Sequence, residues 1–452
     1  MESAASLSRD CSMSSARDDP PILRMMPEIS TYIFSWVENA NERISFPDTP
    51  WIISQVCRRW RDIALSCPEL WSHVCVHKPR TFNFSGRVHQ LETSLIRSQS
   101  YPLYVWYADD GDPNAHLWDV LLDHCDHWHT LELFLSAPDF ARRLPKPQRH
   151  SLPLLERLQI LQHLYKTDTM FELNESVLDA FDTATRLHDI CLVGFQFPSS
   201  INLHWSQLTR IDLVCGSPRD GINILRKTPN LEWLSVNDSP YNFSLRDAPI
   251  IHTSLRNLST PPVALRHFTL PALKALFTET SARSTPSPTP IVHEFIVRSQ
   301  CTLRDLHLKG IDMDQSLINL LKDTPTLEYL SLDFGSSTPG AFEVLSEAFT
   351  YPEADKPSSD VLLPHLARLY LSVGSDLPMN DKFITMVQSR WYVDQTRGAR
   401  LQKLFCTFAD DTSSDGIKLL RQMIEEGLKL YVCMGGDVSV SSTPGRSEVL
   451  SL

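Results

Sequence analysis

The sequence predicts an α/β solenoid: a small all-α module, then an irregular array of strand–helix repeats that share a parallel sheet on the concave face. Three observations predict it. A leucine pattern recurs along most of the 452 residues. Its spacing is nearly regular, and the residues ahead of it carry a helical period instead of a strand period. A chain this long exceeds what one core buries, so it must divide into domains or stack repeats.

The first element is a disordered tail over residues 1–19, Ser/Ala-rich, mixed in charge and without the apolar stretch of a secretory signal. A helical module follows over residues 20–75. Met26-Pro27-Glu28-Ile29 reads as a helix start, because Pro suits the first helical position and Glu the positive end of the dipole. Ile29, Ile33 and Val37 recur at every fourth residue as an apolar stripe, with Phe34 beside it. A second helix starts at Thr49-Pro50 with Thr49 as N-cap. Ile53, Val56, Cys57, Trp60 and Ala64 then follow at helical spacing. Arg58, Arg59, Arg61 and Asp62 fall on the opposite face. Pro68 ends this helix, and Leu70 with Trp71 begins another short apolar piece.

Beyond residue 80 the character changes. The unit Leu-x-x-Leu-x-Leu appears as Leu155–Leu158–Ile160, Leu187–Ile190–Leu192, Leu208–Ile211–Leu213 and Leu231–Leu234–Val236. It returns as Leu303–Leu306–Leu308, Leu327–Leu330–Leu332 and Leu366–Leu369–Leu371, with partial copies starting at Trp128, Leu255, Leu273 and Leu401. Starts at 187, 208, 231 and 255 are 21, 23 and 24 residues apart, within the period of leucine-rich repeats. Longer gaps imply insertions. One unit cannot bury its leucines alone, whereas stacked units share a core and a parallel sheet. Ser217 to Lys227 and Gln315 to Lys322 read as connecting helices. Residues 281–290 and 351–360 read as loops. The leucine-rich-repeat array therefore runs over residues 80–436, with a flexible tail over 437–452.

Composition narrows the function. There are 54 acidic against 42 basic side chains, a net charge of −12, and no Lys/Arg run, so nucleic acid is not the expected ligand. No stretch reaches the apolar length a membrane span requires. The ten cysteines are scattered with no Cys-x-x-Cys pair, which predicts reduced thiols in the cytoplasm or nucleus. His124-Cys125-Asp126-His127-Trp128-His129 is the densest group of metal-ligand types. Its consecutive residues run into a strand and alternate faces, so it reads as the turn before that strand. No phosphate-cradling glycine loop or nucleophile motif occurs, so neither a cofactor nor a metal is expected. An enzyme using Cys57 or Cys433 as a thiol nucleophile is disfavoured, since Cys57 falls on an apolar helical face.

Met26-Pro-Glu-Ile, Ile33-Phe34, Ser54-Gln-Val-Cys-Arg-Arg-Trp-Arg61, Ala64-Leu65 and Pro68-Glu-Leu-Trp71 closely resemble an F-box, with Met26 in place of the usual Leu. The phrases Thr49-Pro-Trp-Ile-Ile-Ser-Gln-Val-Cys-Arg-Arg-Trp60, Phe268-Thr-Leu-Pro-Ala-Leu-Lys274, Gln388-Ser-Arg-Trp391 and Leu419 to Val432 extend the resemblance to fungal F-box-like proteins. The resemblance implies that residues 20–75 dock the Skp-type adaptor of a cullin-RING (SCF) ubiquitin ligase through Pro27, Ile29, Ile33, Val56, Cys57, Trp60 and Leu70. The repeats would hold an unknown protein substrate. The alternative is an F-box and repeat scaffold not coupled to ubiquitination. Outward strand positions (Glu232, Trp233, Arg304, Asp305, Glu328, Tyr329, Ala367 and Arg368) are chemically mixed and do not identify the substrate.

Overall fold

The computed structural model describes residues 21–39, 49–76, 84–109, 115–135, 144–162 (147 excepted), 179–194, 201–214, 218–237, 249–280, 287–334, 339–352, 361–372, 380–408 (395 and 397 excepted) and 414–434. The tails expected over 1–19 and 437–452 lie outside this set, as do most of the two expected loops. The chain divides into two compact units, Met1–Phe140 with Pro145–Leu155, and Ala141–Leu144 with Glu156–Leu452.

Among the described residues the first unit opens with helices α1 (Pro21–Arg24), α2 (Pro27–Asn39), α3 (Thr49–Val56) and α4 (Arg58–Ser66), then a 3-10 turn, Pro68–Trp71. The single helix expected from Thr49 to Pro68 is broken at Cys57, whose backbone is extended (φ −157°, ψ 169°). Its sulfur accepts the Trp60 N–H at 3.4 Å, satisfying one of the amides a helix start leaves free. The break lets Ile53 from one helix and Ile63 and Ala64 from the next meet the same core. Strand β1 (His73–Val76), α5 (Phe84–Ser98), β2 (Leu103–Asp109), α6 (Ala115–Leu122), a 3-10 turn at Cys125–His127 and β3 (Trp128–Leu135) follow. Strands β1 to β3 are parallel neighbours. The Cys125–His127 turn leads into β3, with Cys125 buried and Asp126 exposed.

The second unit carries strands β4 (Arg157–Gln162), β5 (Asp189–Val193), β6 (Arg210–Val214), β7 (Trp233–Asn237), β8 (Ile250–Ile251), β9 (Asn257–Ser259), β10 (Phe268–Thr269), β11 (Ala275–Glu279), β12 (Asp305–Ile311), β13 (Tyr329–Phe334), β14 (Arg368–Ser372), β15 (Lys403–Phe408) and β16 (Lys429–Met434). All but β8 and β10, which pair with each other, lie side by side in chain order as one parallel sheet. Among the described residues its helices are α7 (Pro218–Lys227), α8 (Thr289–Ser299), α9 (Gln315–Lys322), α10 (Pro339–Phe349), α11 (Asp381–Trp391) and α12 (Ser414–Glu425). The second unit is the expected α/β solenoid. Helix α9 matches the connector read from the sequence. Helix α8 starts inside the segment read as a loop, because Pro290 sits in its first turn, where its missing N–H costs nothing.

The repeat leucines explain the stacking. Leu231, Leu234, Leu327, Leu330 and Leu332 are fully buried, as are their counterparts Leu303, Leu306 and Leu308 to within 1%. Many of the repeats are tied to the one before by a shared carbonyl. Glu232 and Trp233 both donate to Thr209 O, Arg304 and Asp305 to Lys274 O, Glu328 and Tyr329 to Arg304 O, and Gln402 and Lys403 to Ala367 O. The Thr-Pro-Asn-Leu and Thr-Pro-Thr-Leu phrases are β-turns in which Leu231 and Leu327 donate to Thr228 O and Thr324 O, with Pro at the position that favours it. The hydroxyls of Thr228 and Thr324 donate back to Ile224 O and Leu320 O, joining the end of each helix to the turn.

Candidate docking surfaces

In the helical module, Phe34, Ile53, Ile63, Ala64, Cys67, Leu70 and Trp71 form the core, with Trp51 and Trp60 packed against it. The Trp60 ring meets Phe34 edge-on at 4.9 Å, and Trp51 meets Trp71 edge-on at 5.2 Å. Trp71 Nε1 donates to Ala64 O at 2.8 Å. The Arg97 guanidinium on α5 lies 4.9 Å from the Trp51 ring and 4.3 Å from the Trp71 ring, bracing α3. Burial pushes the Arg97 pKa down.

The sequence-derived docking residues divide accordingly. Leu70 is 1% exposed and belongs to the core, where it holds the module together and offers no surface. Trp60 and Cys57 are half-buried. Pro27, Ile29, Ile33 and Val56 are exposed. The Val37 side chain lies outside the described set. Helix α2 turns Ser30 and Phe34 inward, so the Ile29–Ile33 stripe faces solvent.

Tyr32 and Trp36, 71% and 67% exposed, join that outward face, and on α3 Ile52 stands 58% exposed beside Val56 at 57%. Sequence reasoning left these three out, although Ile29, Tyr32, Ile33 and Trp36 stand at i, i+3, i+4 and i+7, the spacing of one helix face. Large apolar side chains turned to water in this number mark an interaction site more often than chance exposure.

A second surface lies on the sheet of the second unit, on the side away from the repeat leucines. The strand register places Asp305, Tyr329, Arg368, Lys403 and Lys429 in one row across β12 to β16. Two residues on, and so on the same side, lies the row His307, Ser331, Tyr370, Phe405 and Tyr431. Tyr370 and Phe405 stack in parallel at 4.4 Å. Arg368 Nη2 meets Asp305 Oδ1 at 3.1 Å and its guanidinium lies 5.0 Å from the Tyr329 ring. Burial raises the pKa of the Asp305 carboxyl, with Arg368 acting in the opposite direction.

Among the described residues, no group of His, Cys, Asp and Glu is arranged to hold a metal ion. Burial pushes the thiols of Cys125 and Cys301 up to about 11. Among the described residues, no helix is long and apolar enough to cross a membrane.

No protein-family model matches the chain, and no curated protein matches it. Among solved structures, the chain is similar to one in the crystal structure of the Rad7 and Elc1 complex in yeast, at 14% identity over 92% of this chain and 94% of that one, with a TM-score of 0.39.

Proposed function

We propose that this protein is a non-catalytic substrate receptor of an SCF-type ubiquitin ligase. Its F-box-like module docks a Skp-type adaptor and its repeat array holds the target. The observation that carries the reading is the outward apolar face of α2, with Ile29, Tyr32, Ile33 and Trp36 in water, and Ile52 and Val56 likewise exposed on α3. A partner that buries this face gains roughly 25 cal/mol for every Å² of apolar surface removed from water. Aromatic residues such as Tyr32 and Trp36 are the usual anchors of such contacts. The F-box-like phrases of the sequence supply the identity of the partner, and the fungal resemblance belongs to the same reading. Leu70 and Trp60 serve the docking by fixing the helices.

The chemistry is supplied elsewhere in the complex. The thiols of Cys125 and Cys301 are held protonated at neutral pH, and a thiol nucleophile needs the opposite. No cofactor enters the reading.

Co-expression with the adaptor tests it. The wild type should co-purify, and the Ile33→Asp, Ile52→Asp variant should not, while keeping the wild-type melting temperature because both positions are exposed. Trp60→Ala is a poorer probe, since losing the Phe34 contact would mix folding with docking. A folded wild type that fails to bind the adaptor would overturn the receptor reading and leave the uncoupled scaffold.

A further inference from the structure

The sheet surface over β14, β15 and β16 has a chemistry that the adaptor-docking module does not use. We propose that it is the docking site for an acidic peptide segment of a partner protein, one that carries apolar or aromatic side chains next to its carboxylates. The inference rests on the receptor reading only in taking the repeats as the target-binding half.

Cations come first. Arg368 is paired with Lys403 and Lys403 with Lys429 in strand register, so three positive side chains stand on adjacent strands. Neighbouring strands are about 4.8 Å apart. Like charges directly opposite each other weaken a sheet unless an anion answers them. Arg368 has Asp305. Lys403 lies over the Tyr431 ring at 5.0 Å, and among the described residues neither Lys403 nor Lys429 meets a carboxylate. Both lysines are exposed. The surface therefore presents positive charge at the β15–β16 end and is neutralised towards β12.

The aromatic row sets what accompanies the anion. Tyr370, Phe405 and Tyr431 are paired in register on the same three strands and are half-buried. Their spacing from the cations along each strand is two residues, about 6.6 Å. An extended peptide crossing the strands can thus set carboxylates against Lys403 and Lys429 while an adjacent side chain rests on the aromatic shelf.

The same observations disfavour a nucleic acid. Base stacking needs a free ring face, and Tyr370 and Phe405 each give one face to the other at 4.4 Å and 7°. The Lys403 ammonium occupies a face of Tyr431. The basic row is only three strands wide, with Asp305 and Asp333 on the neighbouring strands.

The test uses the full-length protein and a fluorescein-labelled peptide repeating Asp-Glu-Phe, with its Asn-Gln-Phe counterpart as control. Anisotropy should show binding of the acidic peptide at least about tenfold tighter than the control, weakening as salt rises. Lys403→Glu with Lys429→Glu should cost at least about another tenfold. The milder Lys403→Ala, Lys429→Ala pair guards against misfolding, and Tyr370→Ala should weaken both peptides alike. All variants should still co-purify with the adaptor, so failure here is distinguishable from failure of the receptor reading. Equal binding of the acidic and amide peptides, or unchanged binding by folded lysine variants, would overturn the proposal. So would displacement of the peptide by an oligothymidine, which would point to nucleic acid.

Discussion

Leu363, a non-glycine residue with a left-handed backbone φ of 54°, presents its carbonyl to Nη1 of Arg390 at 3.1 Å. The same guanidinium donates through Nη2 to Leu362 O at 2.6 Å and through Nε to Phe349 O at 2.6 Å. Arg390 is 1% exposed, and burial pushes its pKa down to about 10, so it stays charged at neutral pH. One side chain on α11 thus closes the end of α10 and the turn that launches β14. Arg298 on α8 repeats the device, donating to Leu265 O and Phe268 O from an exposed position.

Removing the buried clamp should be costly. Arg390→Met leaves three carbonyls without their donor, with an expected loss of about 3–5 kcal/mol. Arg390→Lys should recover less than half, because an ammonium cannot reproduce the planar fork. Arg298→Met should cost less than Arg390→Met, since water can replace a donor at an exposed site. Urea denaturation of the three variants checks the order. Equal costs at the two arginines would remove the role assigned to burial.

Gly310 offers a steric test of the sheet. Its φ is +72°, it sits at the register shift between Lys309 and Ile311, and an added Cβ would collide with Thr280 Oγ1. Gly310→Ala should destabilise by about 1–3 kcal/mol. Thr280→Ala alone should cost a smaller amount, through the hydroxyl's bonds to Lys309 O and Gly310 O. The double variant should be more stable than the sum of the two singles predicts. Strict additivity in a thermal-melt cycle would mean that the collision is relieved elsewhere.

His307 makes stability depend on pH. Burial holds its imidazole pKa below the ordinary value, Glu279 opposes that shift and Lys309 adds to it. The unfolded chain therefore takes up the proton at higher pH than the folded one. The stability contribution is complete above about pH 6.5 and is lost as pH falls towards the lower folded value. Between about pH 7.5 and about pH 5.5, wild type should lose more stability than His307→Gln. Parallel profiles for the two proteins would show that His307 does not contribute.

The sequence alone was enough to place the repeat strands, from Leu155–Leu158–Ile160 to Leu366–Leu369–Leu371, and the helix Gln315–Lys322. Such elements follow from periods of two and three to four residues, which are local properties of the chain. Strands β1, β2 and β16 went unread because their apolar residues, such as Val74 with Val76 and Leu103 with Val105, do not spell the repeat. Tertiary structure decided what periodicity cannot. The break at Cys57 arises because the residues on its two sides must meet one core. On α2, packing chose Phe34 as the inward side chain and left Ile29 and Ile33 in water, whereas Leu70 was drawn inside. The row of Arg368, Lys403 and Lys429 joins residues far apart in the chain, and no local pattern announces it. Only the strand register, set by leucines on the opposite side of the sheet, brings these charges together.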